Sequence, residues 1–244
     1  CIRDRVIDLD PQANAGTALG IEQNEDNGIS EVLLNSTPIA QIVKKVSGFP
    51  NLECAPSDQT LASVEITMVG FVSRESRLKI AVDQYIKECE ASGSPIDYIF
   101  IDCPPSLGLL TINALTAAGE VLVPIQCEYY SLEGLSLLLN TLNQVKMILN
   151  PNISIKTIVL TMFDSRTKLS NDVANAIRQH FPDSLIDTPI PRAVRISEAP
   201  SFNQTVMTYD ASSPGAIAYL TVARELANRG VEKTNVLQSG SFSA

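Results

Sequence analysis

The sequence is poor in the residues that most often build metal sites and cross-links. Its 244 residues include no tryptophan, one histidine and five cysteines. No Cys-x-x-Cys pair or Cys/His cluster occurs and the cysteine count is odd, so we expect neither a zinc site nor a secreted disulfide framework. Reduced thiols in a cytoplasm are the default for such a chain. His180 ends a helical pattern and is interpreted as a helix-terminal residue rather than a catalytic base.

Long apolar runs and an excess of basic residues are also missing. No run approaches the roughly 18 apolar residues of a membrane span, and no signal-peptide pattern is present. The chain has 18 Lys and Arg against 27 Asp and Glu, a net charge of −9, which excludes a globally basic nucleic-acid-binding protein. Residues 151–244 are nearly balanced, with 9 basic and 8 acidic side chains, so a local basic patch is compatible with the sequence.

Apolar segments of two kinds alternate along the chain and predict an α/β fold. The apolar strands have no polar alternation, which favours a mostly parallel sheet with helices on both faces. The predicted strands are Val6–Leu9, Leu52–Ala55, Tyr98–Ile101, Val121–Ile125 and Ile155–Leu160. The predicted helices are Arg74–Glu90, Ile112–Ala118, Leu132–Leu149, Asn171–Phe181 and Gly215–Arg229. Residues 22–50 mix weak helices and loops and are left unassigned.

The two ends of the chain differ from its middle. Residues 1–5 begin with Cys1 and fit neither the first strand nor a preceding helix, so we expect them to be a truncation or non-native sequence. Residues 6–230 are predicted to form one domain. Residues 231–244 are polar and rich in serine, and we expect a flexible tail there.

Acidic residues follow two of the predicted strands. Asp8 and Asp10 end the first strand at i and i+2, so both point to one side of the pleat. Asp102 ends the strand at 98–101 in the same way. Ligands bind at the carboxyl ends of strands in open parallel sheets, and carboxylates there suit a metal ion or an oriented water. A strand-end turn whose acids cap the next helix is the alternative.

A third segment combines prolines with arginines. Thr188–Arg195 contains two of each, followed by Ser197–Ser201. Such a stiff loop with exposed positive charge could line a nucleotide or meet a phosphate backbone. The alternative is a surface connection before the last helix, and without other evidence that interpretation is preferred.

Taken together and in this order, the segments resemble the ParA/Soj family of partition ATPases, which have a deviant Walker-type P-loop. The similarity extends over nearly all of residues 6–229. The matching stretches are VIDLDPQANAGTALGI, Ser73–Leu78, DYIFIDCPPSLGLLTINAL, VPIQCEYYSLEGL, VLTMFDSRTKLSNDV and IPRAVRISEAPSF.

The resemblance implies a P-loop NTPase-like fold, ATP and Mg²⁺ as cofactors, and specific residue roles. Asp10 matches the acid that orients the attacking water, and Asp8 matches its neighbour near the phosphates. Asp102 matches the Walker B acid for Mg²⁺, and the turn at 104–107 resembles the switch that senses the γ-phosphate. Around the adenine the matching residues are Met162, Asp164, Pro189, Pro191 and Arg192.

The resemblance also implies partners and a place of action. Family members form an ATP-bound homodimer that binds DNA without sequence preference. A ParB-type partner stimulates hydrolysis, and chromosome or plasmid copies are moved apart in the cytoplasm on the nucleoid, with no membrane involved. The candidate DNA contacts are Arg192, Arg195, Arg224 and Arg229.

Two departures from the family pattern stand out. The phosphate-binding loop, expected about 20–30 residues before Asp8, is absent, and no GxxxxGK[ST] occurs anywhere in residues 1–244. We therefore expect a fold that lacks its first strand and P-loop, and a fragment that is inactive alone. Residues 211–214, Ala-Ser-Ser-Pro, stand where relatives tend to be basic, which predicts weaker DNA binding.

Two alternatives are compatible with this fold. One is a MinD-like positioning ATPase, although residues 231–244 show no basic amphipathic stripe. The other is a non-enzymatic scaffold, against which the three acids at the strand ends argue, since buried acids are costly unless used.

Overall fold

The computed structural model describes residues 3–21 and 28–239, and it contains six strands. Parallel and antiparallel pairing both occur, and the strands are β1 Asp4–Asp8, β2 Lys44–Lys45, β3 Leu52–Ala55, β4 Tyr98–Asp102, β5 Val121–Gln126 and β6 Ile155–Thr161. The helices are α1 Asn14–Ala18, α2 Ile29–Asn35, α3 Ile39–Ile42, α4 Leu61–Thr67, α5 Arg77–Ala91, α6 Leu109–Ala117, α7 Ser131–Ile148, α8 Lys168–His180, α9 Val194–Glu198, α10 Val206–Tyr209 and α11 Pro214–Ser239. Short 3₁₀ turns lie at Met68–Gly70, Arg74–Ser76 and Ala199–Phe202.

The chain divides into two compact units. The first holds the residues up to Val121 together with Ser136–Ser154 and Ala199–Thr205. The second holds Leu122–Leu135, Ile155–Glu198 and the residues from Val206 onward.

A four-stranded sheet organises the first unit, in the order β2-β3-β1-β4. β1 pairs in parallel with both β3 and β4, whereas the short β2 is antiparallel to β3. Apolar residues of β1 and of helices α2, α4, α5 and α6 form one core cluster, which includes Ile7, Leu33, Leu61, Leu78 and Leu110. The prediction of a mostly parallel sheet flanked by helices is confirmed.

The outer strand of this sheet, β4, leaves part of its apolar surface exposed. Within the described residues, β4 pairs only with β1. Tyr98 and Phe100 stack on each other with ring centroids 6.2 Å apart, yet remain 41% and 48% exposed. Strands of a parallel sheet are normally covered on both faces. Among the described residues, β4 departs from this rule, because one of its edges is unpaired and one of its faces is partly exposed.

The second unit is built around the β5–β6 pair and the long helix α11. Isolated parallel bridges join Ile158 to Leu185 and Phe163 to Pro191. Its core cluster contains Val159, Ile186, Ile190, Ala218 and Val222. No helix among the described residues is long and apolar enough to cross a membrane.

The structure corrects two expectations about the ends of the chain. Asp4 and Arg5 belong to β1, so the prediction that residues 1–5 fit no strand is wrong for these two; residues 1 and 2 lie outside the described residues. Arg5 is retained in the strand because its guanidinium is buried against Glu53 at 3.0 Å and Tyr85 Oη at 2.9 Å.

At the other end, α11 continues to Ser239, where the sequence predicted a flexible tail from residue 231. Neither glycine nor proline occurs at 231–239 to interrupt the helix. Residues 240–244 of the predicted tail lie outside the described residues.

The positions of the other predicted elements are confirmed within a few residues. The largest differences are three residues, at the starts of α5 (Arg77 rather than Arg74), α6 (Leu109 rather than Ile112) and α8 (Lys168 rather than Asn171). The structure also shows α2, α3 and α4, which were not predicted. Each is only four to seven residues long, so its helical state depends on the burial of its apolar residues in the core cluster of the first unit.

Candidate functional site

Parallel pairing brings the carboxyl ends of β1 and β4 side by side. Asp8 and Asp102 are direct register partners, and Leu9 N donates to Asp102 O at 2.8 Å. The acids predicted at two separate strand ends therefore lie at one edge of the sheet. This edge is where open parallel sheets bind ligands.

The Asp8 carboxylate is completely buried and both of its oxygens are in use. Oδ1 accepts a hydrogen bond from Asp10 N at 3.3 Å, and Oδ2 accepts one from Gly16 N at 2.8 Å. Burial raises the pKa of Asp8 to about 6, which the two backbone donors partly oppose and the nearby acids Asp102 and Asp10 reinforce. Asp8 thus fixes the loop that follows β1 and presents no exposed oxygen to a ligand.

Asp10, in contrast, is only half-buried and lies in that loop. Its Oδ1 accepts a hydrogen bond from Gln12 N at 3.0 Å, and its carbonyl accepts one from Ala13 N at 2.9 Å. These bonds form a tight turn, and Ala13 adopts φ 53° before α1 begins. Asp10 Oδ2 is left available to a water or a ligand, and the turn fixes the carboxylate that carries it.

Asp102 is exposed at the end of β4. Partial desolvation raises its pKa, and the negative charge of Asp10 raises it further. A cation placed here would relieve this clustering of acids. Mg²⁺ binds proteins through one or two carboxylates together with waters and phosphates, and within the described residues no cluster of three or more potential ligands exists. One exposed carboxylate fits Mg²⁺ that is shared with a nucleotide.

The segment after β4 leads directly into α6. Cys103 is half-buried, and burial, with the charges of Asp102 and Asp10, raises the pKa of its thiol to about 12, so it remains protonated at neutral pH. Thr111 Oγ1 donates to Ser106 O at 2.6 Å and closes the segment against the first turn of α6. The residues predicted to sense the γ-phosphate therefore connect Asp102 to a helix N-terminus.

The residues predicted around the adenine lie together in the second unit. Phe163 N donates to Ile190 O at 3.0 Å and Arg192 N donates to Phe163 O at 3.1 Å, so segments 162–164 and 190–192 run side by side. Met162 adopts φ 52° at the bend. Pro189 precedes the buried Ile190 on the same segment.

Asp164 in this region is paired with Arg166. Two guanidinium nitrogens contact its oxygens at 2.9 and 2.8 Å. The side-chain hydrogen bond from Arg166 is the main reason that the pKa of Asp164 is lowered to about 2. The carboxylate is therefore ionised and held in one orientation.

The four arginines predicted to contact DNA differ in their surroundings. Arg192 and Arg224 are exposed. Arg195 has acidic neighbours: Glu198 lies at 3.1 Å and Asp210 at 3.6 Å. The Arg229 guanidinium donates to the carbonyls of residues 184 and 185 at 3.2 and 2.7 Å. Arg192 lies close enough to Asp164 for its charge to help lower the pKa of that carboxyl. The geometry favours the exposed Arg224, and then the exposed Arg192, over Arg195 and Arg229 for contacts with an added ligand.

Sequence reasoning missed residues that support the acids at the strand ends. Gly16 supplies the N–H that holds Asp8, and Glu65 of α4 caps α6 by accepting a hydrogen bond from Leu110 N at 3.0 Å. Gly16 lies inside a matched motif, so it could have been noted. Glu65 is 45 residues from its partner and belongs to a helix that was not predicted.

Comparison with known proteins agrees with this geometry. The family model described as an AAA domain matches residues 3–155. The sporulation initiation inhibitor protein Soj of Bacillus subtilis is 45% identical over 226 residues, which cover 92% of this chain and 86% of that protein. The chromosome partitioning protein ParA of Myxococcus xanthus is 43% identical over 233 residues, covering 95% and 80%.

A similar solved structure is that of cobyrinic acid a,c-diamide synthase from Mycobacterium smegmatis, with a bound ATP analog and magnesium. It is 31% identical, with a TM-score of 0.72, over 89% of this chain and 79% of that chain. The acids at the ends of parallel strands, on this fold, define a P-loop NTPase-like α/β protein. The chain belongs to the ParA/Soj family of partition proteins.

Proposed function

We propose that the chain carries the hydrolytic residues of a ParA-like ATPase that acts in chromosome or plasmid partitioning. The observation that carries the proposal is the pairing of Asp8 with Asp102, which places Asp10 and Asp102 at one edge of the sheet. Asp102 would hold Mg²⁺ with the phosphates of ATP. That ion would neutralise charge on the phosphates and orient them.

In this mechanism Asp10 orients the water that attacks the γ-phosphate. Its turn, closed by the Gln12 N–H, fixes the carboxylate, and the buried Asp8 fixes the loop from within. Asp8 is thus proposed as a positioning residue, because its carboxylate is completely buried and holds the loop, whereas the resemblance implied a catalytic role for it. The expected gain from such an oriented acid is about 10²–10⁴-fold in rate.

We propose further that a phosphate-binding segment must be added for nucleotide binding. No residue pattern in 1–244 supplies the backbone N–H groups and lysine that hold phosphates, and among the residues that the structure describes β4 has an unpaired edge and a partly exposed face. A strand pairing with that edge would end beside Asp102 and could place its following loop near the phosphates.

Nucleotide binding by residues 1–244 is accordingly expected to be weak. Isothermal titration with MgATP should give a Kd of about 1 mM or weaker. Micromolar binding by this chain would overturn the need for an added phosphate-binding segment.

The enzymatic proposal is tested by a chimera in which the phosphate-binding segment of a family relative precedes residue 3. The chimera should bind MgATP and hydrolyse it, and DNA should stimulate the reaction. A chimera that binds MgATP but does not hydrolyse it would favour the non-enzymatic scaffold and contradict the proposal.

Dimerisation, DNA binding and action through a ParB-type partner on the nucleoid are also part of the proposal, supported by the relative that is named as a chromosome partitioning protein. The exposed Arg192 and Arg224 are the arginines best placed for phosphate contacts. Both lie in the second unit, which holds the more balanced charge of the sequence.

DNA binding should be strongly salt-dependent because phosphate contacts release counterions. In the chimera with MgATP, affinity should fall steeply between about 50 and about 200 mM salt, and Arg224→Ala should reduce the log–log slope by about 1. Arg166→Ala is the matched control, since Asp164 already neutralises Arg166. Salt-independent binding, or an equal effect of both variants, would contradict a role for Arg224.

A further inference from the structure

Glu65 connects the helix α4 to the start of α6. Its Oε1 accepts a hydrogen bond from Leu110 N at 3.0 Å. Leu110 is the second residue of α6, and the N-cap residue of this helix, Gly108, has no side chain that could take up a free N–H. A carboxylate from another helix therefore satisfies this donor and faces the positive end of the α6 dipole.

The N-cap residue is fitted to this contact. A Cβ atom on Gly108 would overlap the Glu65 carboxylate. The backbone of Gly108 is in the extended region, so a side chain at 108 is opposed by the close approach of Glu65 and not by an unusual φ. Any residue with a Cβ at 108 would displace the end of the Glu65 side chain from its contact. The contact thus combines the carboxylate of Glu65 with the absence of a side chain at Gly108.

The body of α6 is anchored separately by Asn113, which is completely buried. Its Nδ2 donates to Arg74 O at 2.8 Å, and its Oδ1 accepts from Leu78 N at 3.2 Å. These bonds hold α6 against the start of α5. Asn113 thus fixes the body of α6. The hydrogen bond from Leu110 N to Glu65 fixes the start of this helix, which is also the end of the segment between Asp102 and Gly108.

We propose that Glu65 is a positioning residue for ATP hydrolysis, which caps α6 and thereby holds residues 104–107 in the conformation that meets the γ-phosphate. The inference rests on the proposed function, in which this segment senses that phosphate. Glu65 touches neither nucleotide nor metal in this scheme and acts through the segment that it holds.

Hydrogen exchange tests the cap in residues 1–244 without any nucleotide. In Glu65→Ala, the amides of 106–112 should exchange about tenfold faster than in the unsubstituted chain, since the N–H of Leu110 loses the acceptor that caps the helix. Glu65→Gln should exchange as the unsubstituted chain, because its amide oxygen accepts the same bond. Gly108→Ala should also make these amides exchange faster, because its Cβ displaces the Glu65 carboxylate from the other side of the contact. Ile66→Ala, on the exposed face of α4, is the control.

Turnover in the chimera tests positioning. Glu65→Ala and Gly108→Ala should lower kcat about tenfold and leave the KM for ATP within about twofold, whereas Glu65→Gln should restore kcat. Unchanged exchange in Glu65→Ala, or faster exchange with unchanged kcat, would overturn the inference. An unsubstituted chimera without hydrolysis would instead refute the proposed function, and exchange data would still show whether the cap exists.

Discussion

Alanine in place of Asp10 is expected to abolish most ATP turnover by the chimera. In the proposed mechanism the carboxylate orients the attacking water, so kcat should fall by about 100-fold or more, within the usual range for a positioned general base. The Kd for MgATP should stay within about twofold, because the proposal assigns Asp10 a contact with the water and none with the phosphates. Steady-state kinetics and titration calorimetry on the same preparation measure the two quantities.

Asp83→Ala provides the matched control for this result. Asp83 is an exposed acid on α5 and forms an ion pair with Lys79 at 3.1 Å. It has no role in the site proposed at the strand ends. Its removal should leave kcat unchanged. Equal kcat values for the Asp10 and Asp83 variants would remove Asp10 from its proposed role.

Removal of the buried guanidinium of Arg5 is expected to have the largest effect on stability. Arg5 Nε donates to Tyr85 Oη at 2.9 Å, and a second guanidinium nitrogen contacts Glu53 at 3.0 Å, with the arginine side chain 9% exposed. Arg5→Ala would leave the partly buried Glu53 without its countercharge. We expect a loss of about 2–4 kcal/mol in the free energy of unfolding, measured by urea denaturation of residues 1–244.

The Lys79–Asp83 pair shows what an exposed ion pair contributes by comparison. Both of its side chains are nearly half exposed, so Lys79→Ala should cost about 0.5 kcal/mol or less. If Arg5→Ala also lowered the free energy of unfolding by only about 0.5 kcal/mol, the buried contact of Arg5 with Glu53 and Tyr85 would not stabilise β1. Such an outcome would also weaken the assignment of Asp4 and Arg5 as an integral part of the strand.

The strand ends could be predicted because each is specified by neighbouring residues. An apolar run followed by carboxylates marks the end of β1 and of β4, and the parallel register then brings Asp8 opposite Asp102. The same local reasoning placed β3 at Leu52–Ala55. The assignment of roles to Asp10 and Asp102 came from the family resemblance, since the spacing of the acids is equally compatible with a helix-capping turn.

The contacts that could not be predicted are those between distant segments. Charged residues such as Arg5 argue against a strand when taken alone, and only the positions of Glu53 and Tyr85 explain its burial. Glu65 looks like any surface acid until α4 and α6 are packed. The end of α11 was predicted too early because the polar composition after Gly230 was taken as disorder, although neither glycine nor proline occurs at 231–239.

The two acids at the end of the first strand, Asp8 and Asp10, have different surroundings and therefore different proposed roles. Both are aspartates two residues apart, yet Asp8 is enclosed by the N–H groups of Asp10 and Gly16, while Asp10 is partly accessible. A buried acid that holds a loop has a structural function, whereas an accessible acid can contact water. Substitution of Asp8 should therefore disturb the loop as a whole, whereas substitution of Asp10 should remove the hydrogen bond from Gln12 N and act mainly on the reaction.

A single-turnover experiment with the Asp10→Ala chimera is the most direct test that an acid at the carboxyl end of β1 drives hydrolysis. Chimera in excess over labelled ATP is mixed with Mg²⁺, quenched over time and assayed for intact nucleotide. The account predicts that ATP is bound and recovered intact over the period in which the unsubstituted chimera converts it completely to ADP. Conversion to ADP at the rate of the unsubstituted chimera would contradict the account.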